Sequence, residues 1–122
     1  MEVYSGIGKH SDDRGDLLEL LPDVTQAIHA VLYCTGKTGA VRGSHVHAKD
    51  THFCYVLSGT IQYEWFEGEE RKSRVLSPGD CVFTPVGEKH RFVFLTDGAF
   101  IAMATEPRTQ NSYESDTTRV NF

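Results

Sequence analysis

The feature that most limits how this chain can fold is a series of short runs rich in Val, Ile, Phe, Tyr and Thr, separated by turn-forming residues. Such runs are typical of half-buried β-strands bounded by turns. The sequence predicts six strands, over Ala27–Cys34, His52–Leu57, Thr60–Phe66, Cys81–Thr84, His90–Leu95 and Ala99–Ala104. Many short strands at close, even spacing predict an all-β fold, an antiparallel sandwich or barrel.

The chain length of 122 residues fits a single domain, 1–122. We expect its barrel core over about 27–104. The segment 67–72 is predicted to be a solvated hairpin tip. The polar stretch 105–122 is expected to be a tail that either frays or packs across the domain, or onto a partner.

The charge balance narrows the class of partner. Twelve Lys and Arg against seventeen Asp and Glu give a net charge of −5, which argues against nucleic acid and against an anionic membrane as partners.

The first residues lack the basic and apolar regions of a signal peptide, and the longest apolar run, Ala99–Ala104, is too short to span a bilayer. Three cysteines without a C-x-x-C pair predict a reducing, cytoplasmic setting. The expected partner is a small-molecule substrate, sugar-like or anionic.

Four histidines carry the strongest chemical signal. His45 and His47 are two residues apart, so on a strand they point to one face. His52 opens the next run, and a hairpin through 48–51 would bring a third imidazole to the same place; His90 heads a later run. Scattered surface or core histidines are the better explanation of an H-x-H alone, but all four together favour a site for one divalent metal, Zn, Ni, Fe, Cu or Mn.

The spacing of these histidines resembles the two motifs of the cupin superfamily. The first motif is similar to Gly39-x5-His45-x-His47-x4-His52-x6-Gly59, with His52 in place of the usual Glu. The second is similar to Gly79-x5-Pro85-x-Gly87-x2-His90-x3-Phe94, with Phe94 in place of the usual Asn. The resemblance implies an antiparallel jelly-roll, or double-stranded β-helix, barrel with a metal or substrate pocket inside, and it leaves the reaction open.

The two departures from the usual motifs have physical consequences. Without the Glu, four neutral imidazoles leave the full charge of a divalent cation for substrate or water, so we expect the site to bind anionic oxygens. Phe94 in place of Asn is expected to make one pocket wall apolar and to dry the pocket.

Two further segments resemble nucleotide-sugar epimerases and ketoisomerases that use this barrel. They are Asp13-Arg14-Gly15-Asp16-Leu17 and Arg42-Gly43-Ser44-His45-Val46-His47. The resemblance implies that Arg14 and Arg42 bind substrate, since a guanidinium can donate two parallel hydrogen bonds to a pyrophosphate. Alternatively, both arginines are turn residues followed by glycines that the backbone requires.

The two resemblances assign different roles to His45 and His47. If the protein is a metal-free isomerase, these two histidines are acid–base catalysts; if it binds a metal, they are metal ligands. An imidazole bound to a metal cannot also act as a base. His52 and His90 at the remaining ligand positions favour the metal. Another group must then move the proton, and the candidates are Tyr55, Tyr63, Glu64, His29 and a metal-bound water.

The leading hypothesis from the sequence is a metal-dependent isomerase or epimerase that acts on a carbohydrate or nucleotide sugar through a metal-stabilised enediolate. Three alternatives stay open: a metal-dependent oxygenase of a small enol, diketone or diol, a non-enzymatic small-molecule-binding protein, and a metal-assisted cyclase or lyase. A homodimer is expected, because barrel edges and an aromatic strand favour pairing.

Overall fold

Strands dominate the computed structural model, which describes residues 1–22 and 26–122. In chain order the elements are β1 (Glu2–Ser5), β2 (His10–Asp12), β3 (Gly15–Leu17), β4 (Ala30–Gly36), β5 (Val41–His47), β6 (His52–Ser58), β7 (Ile61–Glu67), β8 (Glu70–Leu76), β9 (Asp80–Thr84), β10 (His90–Phe94), β11 (Gly98–Ala104), α1 (Gln110–Asp116) and β12 (Thr117–Arg119).

Two five-stranded sheets form the body of the fold. The first has the strand order β1-β9-β6-β11-β4 and the second has the order β12-β5-β10-β7-β8, while β2 and β3 form a separate hairpin. The strand pairs run antiparallel throughout. The prediction of an all-β, antiparallel jelly-roll fold is therefore confirmed.

The core lies between the two sheets, where the inward-facing side chains of their strands meet. Strand β10 buries His90, Phe92 and Phe94 and leaves the residues between them partly exposed. The Phe92 and Phe100 rings stack across the sheets with their centroids 4.9 Å apart. A Cβ at Gly36 would lie 2.5 Å from the Phe94 ring, so the ring packs directly on glycine backbone.

The outer face of the first sheet has its own smaller apolar cluster. Phe53, Cys81 and Met103 are buried there, against partly buried side chains that include Tyr4 and Leu20 from the N-terminal segment. This segment covers the sheet, so the inner face is left to form the core and the site.

Each of the six predicted strands matches an observed one with small shifts at its ends. The expected hairpin tip over 67–72 is wrong in its extent, because β7 continues to Glu67 and β8 begins at Glu70. Arg71 and Lys72 therefore lie in β8, where they pair with Phe66 and Trp65. The sequence does not predict this strand, because its charged residues lie on the solvent face of an antiparallel pair and it lacks a clear apolar pattern.

The segment after residue 104 packs across the fold. Strand β12 pairs with the edge strand β5, with Thr117 opposite His47 and Arg119 opposite His45. Further on, Val120 N donates to Ser44 O at 2.9 Å. Backbone hydrogen bonds to an otherwise open sheet edge explain why this polar stretch is ordered against the fold. Among the described residues, no helix is both long and apolar enough to cross a membrane.

Candidate functional site

Four imidazoles meet at one end of the space between the sheets. His45 and His47 come from β5, His52 from β6 and His90 from β10. The ring centroids of His45 and His47 are 4.3 Å apart, and those of His45 and His90 are 4.8 Å apart. The His52 ring lies 5.1 Å from that of His90 and 5.6 Å from that of His47. The four side chains are buried, with exposed fractions between 1% and 9%. The structure thus brings together the predicted ligand set.

The route by which His52 reaches the cluster differs from the expected hairpin. Strand β5 belongs to the second sheet and β6 to the first, so residues 48–51 cross between sheets and do not fold β6 back onto β5. His45 lies opposite His90 on the neighbouring strand, as cross-strand pairing on one face requires. The cluster is therefore held by both sheets.

A β-bulge in β5 aims Arg42 towards the same space. His45 pairs with His90, but Arg91 pairs with Gly43 and Phe92 with Arg42, so Ser44 is an extra residue. The backbone accommodates it with positive φ values of 93° at Gly43 and 61° at Ser44. An extra residue reverses the alternation of side chains. Arg42, three residues before His45, consequently faces the cavity.

His90 gives the clearest test of whether these residues fit a metal. Its Nδ1–H donates to the Glu88 carbonyl at 2.9 Å, which leaves the lone pair on Nε2. That Nε2 atom is buried and has no hydrogen-bond partner among the described residues. Burial lowers the pKa of His90 well below its usual value, with a further contribution from His52. A buried, neutral and unpartnered lone pair fits a metal ligand.

His45 and His47 are also buried, but their Nε2 atoms are hydrogen-bonded to each other at 3.1 Å. Burial, followed by the charges of His47 and His52, lowers the pKa of His45 to about 3, and burial also lowers the pKa of His47. Neutral imidazoles carry the lone pairs that metals require. One ring nitrogen from each of His45, His47 and His90 can be chosen so that all three lie within 4.8 Å of one another.

A carboxylate orients His52 from behind. Asp50 Oδ2 lies 3.1 Å from His52 Nδ1, which directs Nε2 towards the cluster. Asp50 also accepts hydrogen bonds from Thr105 N and Glu106 N, each at 3.1 Å. Burial raises the pKa of Asp50, but the hydrogen bond from His52 and the others outweigh it and lower that pKa overall. Asp50 is thus held as a carboxylate, the outer partner that metal-bound histidines commonly have.

A second carboxylate, from the C-terminal segment, lies behind His47. Asp116 Oδ2 is 3.5 Å and Thr117 Oγ1 is 3.2 Å from His47 Nδ1. Asp116 also accepts hydrogen bonds from Lys49 N at 2.7 Å and from Asp50 N at 3.1 Å. The C-terminal segment therefore forms part of the site.

The cluster lines a cavity of about 140 Å³. Its other walls mix apolar and polar groups: Leu32, Cys34, Arg42, Gly43, Asp50, Cys54, Phe92, Phe100, Ala102, Ala104, Arg108 and Tyr113. The Tyr113 ring centroid lies 6.3 Å from that of His45 and 6.2 Å from that of His47. The Arg108 guanidinium lies over the Tyr113 ring at 4.2 Å.

Three of the residues predicted to move a proton lie away from this cavity. Tyr55 alternates with His52 and Cys54 on β6 and packs in the outer cluster of the first sheet. Glu64 faces outward from β7, where it pairs with Arg71 and Arg91. His29 is exposed and its Nδ1 bonds the Thr105 carbonyl at 2.7 Å. Successive side chains on a strand point to opposite faces, and Tyr55 on β6 and Glu64 on β7 occupy positions that point to the outer face.

Tyr63, the fourth predicted proton donor, lies behind His90 in the core. Its ring stacks on His90 with centroids 5.9 Å apart. Its hydroxyl is 2.7 Å from Thr84 Oγ1 and donates to Glu88 Oε1 at 2.6 Å. Burial, followed by the charge of Glu88, raises the pKa of Tyr63 above its usual value. These contacts suit a support for His90 better than an exchangeable proton.

The predicted substrate-binding residues fall in three different places. Arg42 lines the cavity, with its Nε donating to the Thr35 carbonyl at 2.9 Å. Phe94 is fully buried in the core beyond the cavity lining, so its expected role as a pocket wall is not reproduced. Arg14 is exposed on the β2–β3 hairpin, where it bonds Asp12 at 2.6 Å.

Sequence reasoning missed Asp50, Arg108, Tyr113 and Asp116. Asp50 lies two residues before His52, the strand spacing of a same-side pair, and this was an available signal. The other three follow residue 104, in a stretch without the alternation that marks a strand. Their placement depends on the pairing of β12 with β5.

Comparison with known proteins identifies the fold. Three solved structures superpose on nearly the whole chain. A 3,4-ketoisomerase from Helicobacter canadensis is 20% identical with a TM-score of 0.79, covering 92% of this chain and 87% of that chain. QdtA, a sugar 3,4-ketoisomerase from Thermoanaerobacterium thermosaccharolyticum in complex with TDP, is 22% identical with a TM-score of 0.78, covering 98% and 88%. ChmJ, a 3'-monoepimerase from Streptomyces bikiniensis in complex with dTDP-quinovose, is 15% identical with a TM-score of 0.79, covering 98% and 68%.

At these identities the likeness to solved structures establishes the fold alone. A search of curated protein sequences finds no match. The model of the cupin domain matches residues 32–105. Because this match spans more than half of the 122 residues, the chain belongs to the cupin domain family.

Proposed function

We propose that this cupin isomerises or epimerises a carbohydrate at the His45–His47–His52–His90 cluster, with a divalent metal as cofactor. The observation that carries the proposal is the buried, unpartnered Nε2 of His90 at the centre of three other imidazoles. The reaction class is supported by the likeness of the whole fold to sugar ketoisomerases and a sugar epimerase.

His45, His47, His52 and His90 would hold the metal, which we expect to be Zn, Ni, Fe or Mn. A divalent ion bound there supplies Lewis-acid polarisation of a carbonyl oxygen. Asp50 and Asp116 orient two of the imidazoles from behind. This arrangement leaves the side of the cluster that faces the cavity for substrate.

The cavity dimensions favour a compact substrate. A volume of about 140 Å³ lies below the roughly 300–1,000 Å³ typical of drug-sized ligand pockets. It suits a sugar ring and leaves any nucleotide outside the cavity. Phe92 and Phe100 give the cavity lining apolar surface, and Arg42, which also lines the cavity, would donate hydrogen bonds to substrate oxygens.

We assign the proton transfer to the hydroxyl of Tyr113. The four imidazoles are committed to the metal, and the carboxylate of Asp50 is occupied by His52 and backbone amides. Tyr113 lines the same cavity and its ring lies beside those of His45 and His47. A positioned phenol is one of the groups that act as general acids or bases at carbon next to a carbonyl.

A metal-free isomerase is the second candidate, and one contact favours it. Asp116 Oδ2 lies 3.5 Å from His47 Nδ1, and its charge raises the pKa of His47 against the larger lowering by burial. In that case His45 and His47 would act as the acid–base pair, and Arg42 would still bind the substrate.

Metal analysis separates the two candidates. Elemental content per chain is measured for the wild type, for His52→Ala and for His10→Ala, whose histidine is exposed on β2. We expect about one divalent ion per chain in the wild type and in His10→Ala, and a loss in His52→Ala. A folded wild type that takes up no divalent metal contradicts the metal proposal and favours the acid–base pair.

Isotope exchange tests the reaction class. Keto sugars incubated with the enzyme in D2O are expected to exchange the hydrogen on the carbon next to the carbonyl, and Tyr113→Phe is expected to abolish the exchange. Metal-loaded protein that exchanges no keto sugar but consumes O2 with an enol, diketone or diol would favour the oxygenase. Binding of a sugar without turnover would favour a binding protein.

A homodimer, a cytoplasmic location and a single 1–122 domain stay predictions. The apolar side chains of Val31 and Tyr33 on edge strand β4 are exposed, at 67% and 69%. Sedimentation of the wild type at several concentrations measures the oligomeric state directly.

A further inference from the structure

The carboxylate of Glu88 is buried behind the histidine cluster, outside the cavity lining. Its Oε1 accepts a hydrogen bond from the Tyr63 hydroxyl at 2.6 Å, and its Oε2 accepts one from the Met1 amino group at 2.8 Å. A buried carboxylate needs such partners, because an unpaired charge in the protein interior is costly. Both oxygens of Glu88 are therefore committed to contacts within the protein.

The same residue also holds His90 through its backbone. The Glu88 carbonyl accepts a hydrogen bond from His90 Nδ1 at 2.9 Å. Glu88 lies in the connection between β9 and β10, where Gly87 N donates to the His47 carbonyl at 3.0 Å. The place of the carbonyl that binds His90 therefore depends on how firmly this connection is tethered.

Tyr63 links the side-chain contact of Glu88 to the imidazole. Its ring stacks on that of His90 with centroids 5.9 Å apart and an interplanar angle of 13°. Its hydroxyl is held by Glu88 and lies 2.7 Å from Thr84 Oγ1. His90 thus has the Tyr63 ring against one face and the Glu88 carbonyl at one edge, and the Glu88 side chain tethers both.

The orientation of the His90 ring decides where its lone pair points. Rotation of the imidazole by 180° about χ2 exchanges Nδ1 with Cδ2 and Nε2 with Cε1, so the ring would lose its hydrogen bond and present a different edge to the cluster. His90 Nε2 has no hydrogen-bond partner among the described residues, so nothing on the cluster side favours the present orientation. The contacts on the opposite side must therefore hold the ring.

We infer that Glu88 is a positioning residue for His90. Its carboxylate fixes the Tyr63 ring and the connection that carries the Glu88 carbonyl, so that His90 Nε2 faces the other three imidazoles before any ligand binds. Such preorganisation removes the cost of ordering a side chain when a ligand arrives. The part of the inference that concerns metal affinity rests on the proposed function, whereas the orientation of the ring does not.

Nitrogen-15 NMR of chelator-treated, histidine-labelled protein tests the orientation of the ring. The Nδ1–H signal of His90, assigned by its absence in His90→Gln, is followed as its hydrogen exchanges with solvent. We expect this exchange to be about tenfold faster in Glu88→Ala than in the wild type, a factor that corresponds to the loss of one hydrogen bond. Glu88→Gln keeps an acceptor for the Tyr63 hydroxyl and should return the exchange towards the wild-type rate. Glu69→Ala, which alters an exposed glutamate between β7 and β8, is the matched control.

A second variant and the affinity for Zn extend the test. Tyr63→Phe keeps the ring and removes the hydroxyl that Glu88 holds, so it should accelerate the exchange as Glu88→Ala does. Competition with a chromophoric chelator should show about 10–100-fold weaker Zn binding in both variants, the usual effect of losing support behind a ligating histidine. The double variant should lose no more than either single variant, because both substitutions remove one contact.

Two results would overturn the inference. One is exchange of the His90 Nδ1–H in Glu88→Ala and Tyr63→Phe at the rate found in Glu69→Ala. The other is equal acceleration in Glu88→Gln and Glu88→Ala, which would mean that the charge of Glu88 matters and its hydrogen bond to Tyr63 does not. Urea unfolding shows whether each variant folds, and Tyr63→Phe decides the outcome if Glu88→Ala does not. A wild type that takes up no Zn would count against the proposed metal, and the exchange rates in chelator-treated protein would still decide the inference.

Discussion

Asp116 and His47 come from segments 69 residues apart in sequence, yet the Asp116 carboxylate lies 3.5 Å from His47 Nδ1. Both side chains are buried, and the same carboxylate accepts hydrogen bonds from the backbone of Lys49 and Asp50. The C-terminal segment thus fixes the ring of His47 and the backbone of residues 49–50, which lead to His52. The geometry of the histidine cluster depends on this segment being in place.

Asp116→Asn is expected to weaken metal binding by about 10–100-fold, the usual effect of removing a charged partner behind a ligating histidine. Competition with a chromophoric chelator measures the affinity. Asp12→Asn, which alters an exposed aspartate of the β2–β3 hairpin, is the control and should bind metal as the wild type does. Equal affinities in the two variants would show that Asp116 has a structural role only.

His90→Gln is expected to abolish the stabilisation that metal gives to the fold. A ligand present at 100 times its Kd stabilises the folded state by about 2.7 kcal/mol. For a domain of this size, that corresponds to a rise in Tm of roughly 10 °C. Thermal unfolding with and without Zn should show the rise in the wild type and in His10→Ala, and none in His90→Gln. A rise of equal size in His90→Gln would exclude its Nε2 from the site.

The fold and the histidine cluster were predictable because both depend on local patterns. Alternating apolar residues define the strands of the core, and the two-residue spacing of His45 and His47 places their rings on one face of β5. The crossing of residues 48–51 between sheets was not predictable as such, because a short polar connection is compatible with a hairpin and with a sheet-to-sheet link.

The remainder of the site depends on contacts between distant segments, which a single sequence does not encode locally. Tyr113 and Arg108 reach the cavity only because β12 pairs with β5. Glu64 has the chemistry of a catalytic acid, but its position in the alternation of β7 places its side chain on the outer face of the sheet. Chemical character alone therefore selected candidates from both faces of the sheets, and the strand register decides between them.

Gly43→Ala is expected to destabilise the protein and to weaken anion binding. A non-glycine residue at a φ of 93° costs about 1–3 kcal/mol, and a Cβ here would also lie 3.2 Å from the Arg91 Cα. Gly39→Ala is the matched control, since its φ is 87° and its Cβ would have open space.

Urea unfolding of both glycine variants separates the backbone cost from the contact with β10. Both should lose stability, Gly43→Ala the more, and only Gly43→Ala should lose affinity for fructose 6-phosphate or glucuronate, because it alters the bulge that aims Arg42. If both variants lose anion affinity equally, the bulge does not direct Arg42 into the cavity.

Glu64→Gln and Tyr113→Phe are expected to have opposite effects on stability and turnover. The Glu64 side chain is buried between Arg71 and Arg91 on the outer face of the second sheet. Loss of its charge should lower the free energy of unfolding by about 1–2 kcal/mol, since both arginines are partly exposed and solvent screens the pairs. The kcat of Glu64→Gln should stay unchanged, because the cavity lies on the other face of the sheet.

Tyr113→Phe should keep the stability of the wild type and lose about 10²–10⁴-fold in kcat, the usual contribution of a positioned acid or base. Urea unfolding and initial rates on the same samples measure both quantities. A fall in kcat for Glu64→Gln as large as that for Tyr113→Phe would place the proton transfer outside the cavity and contradict the assignment of Tyr113.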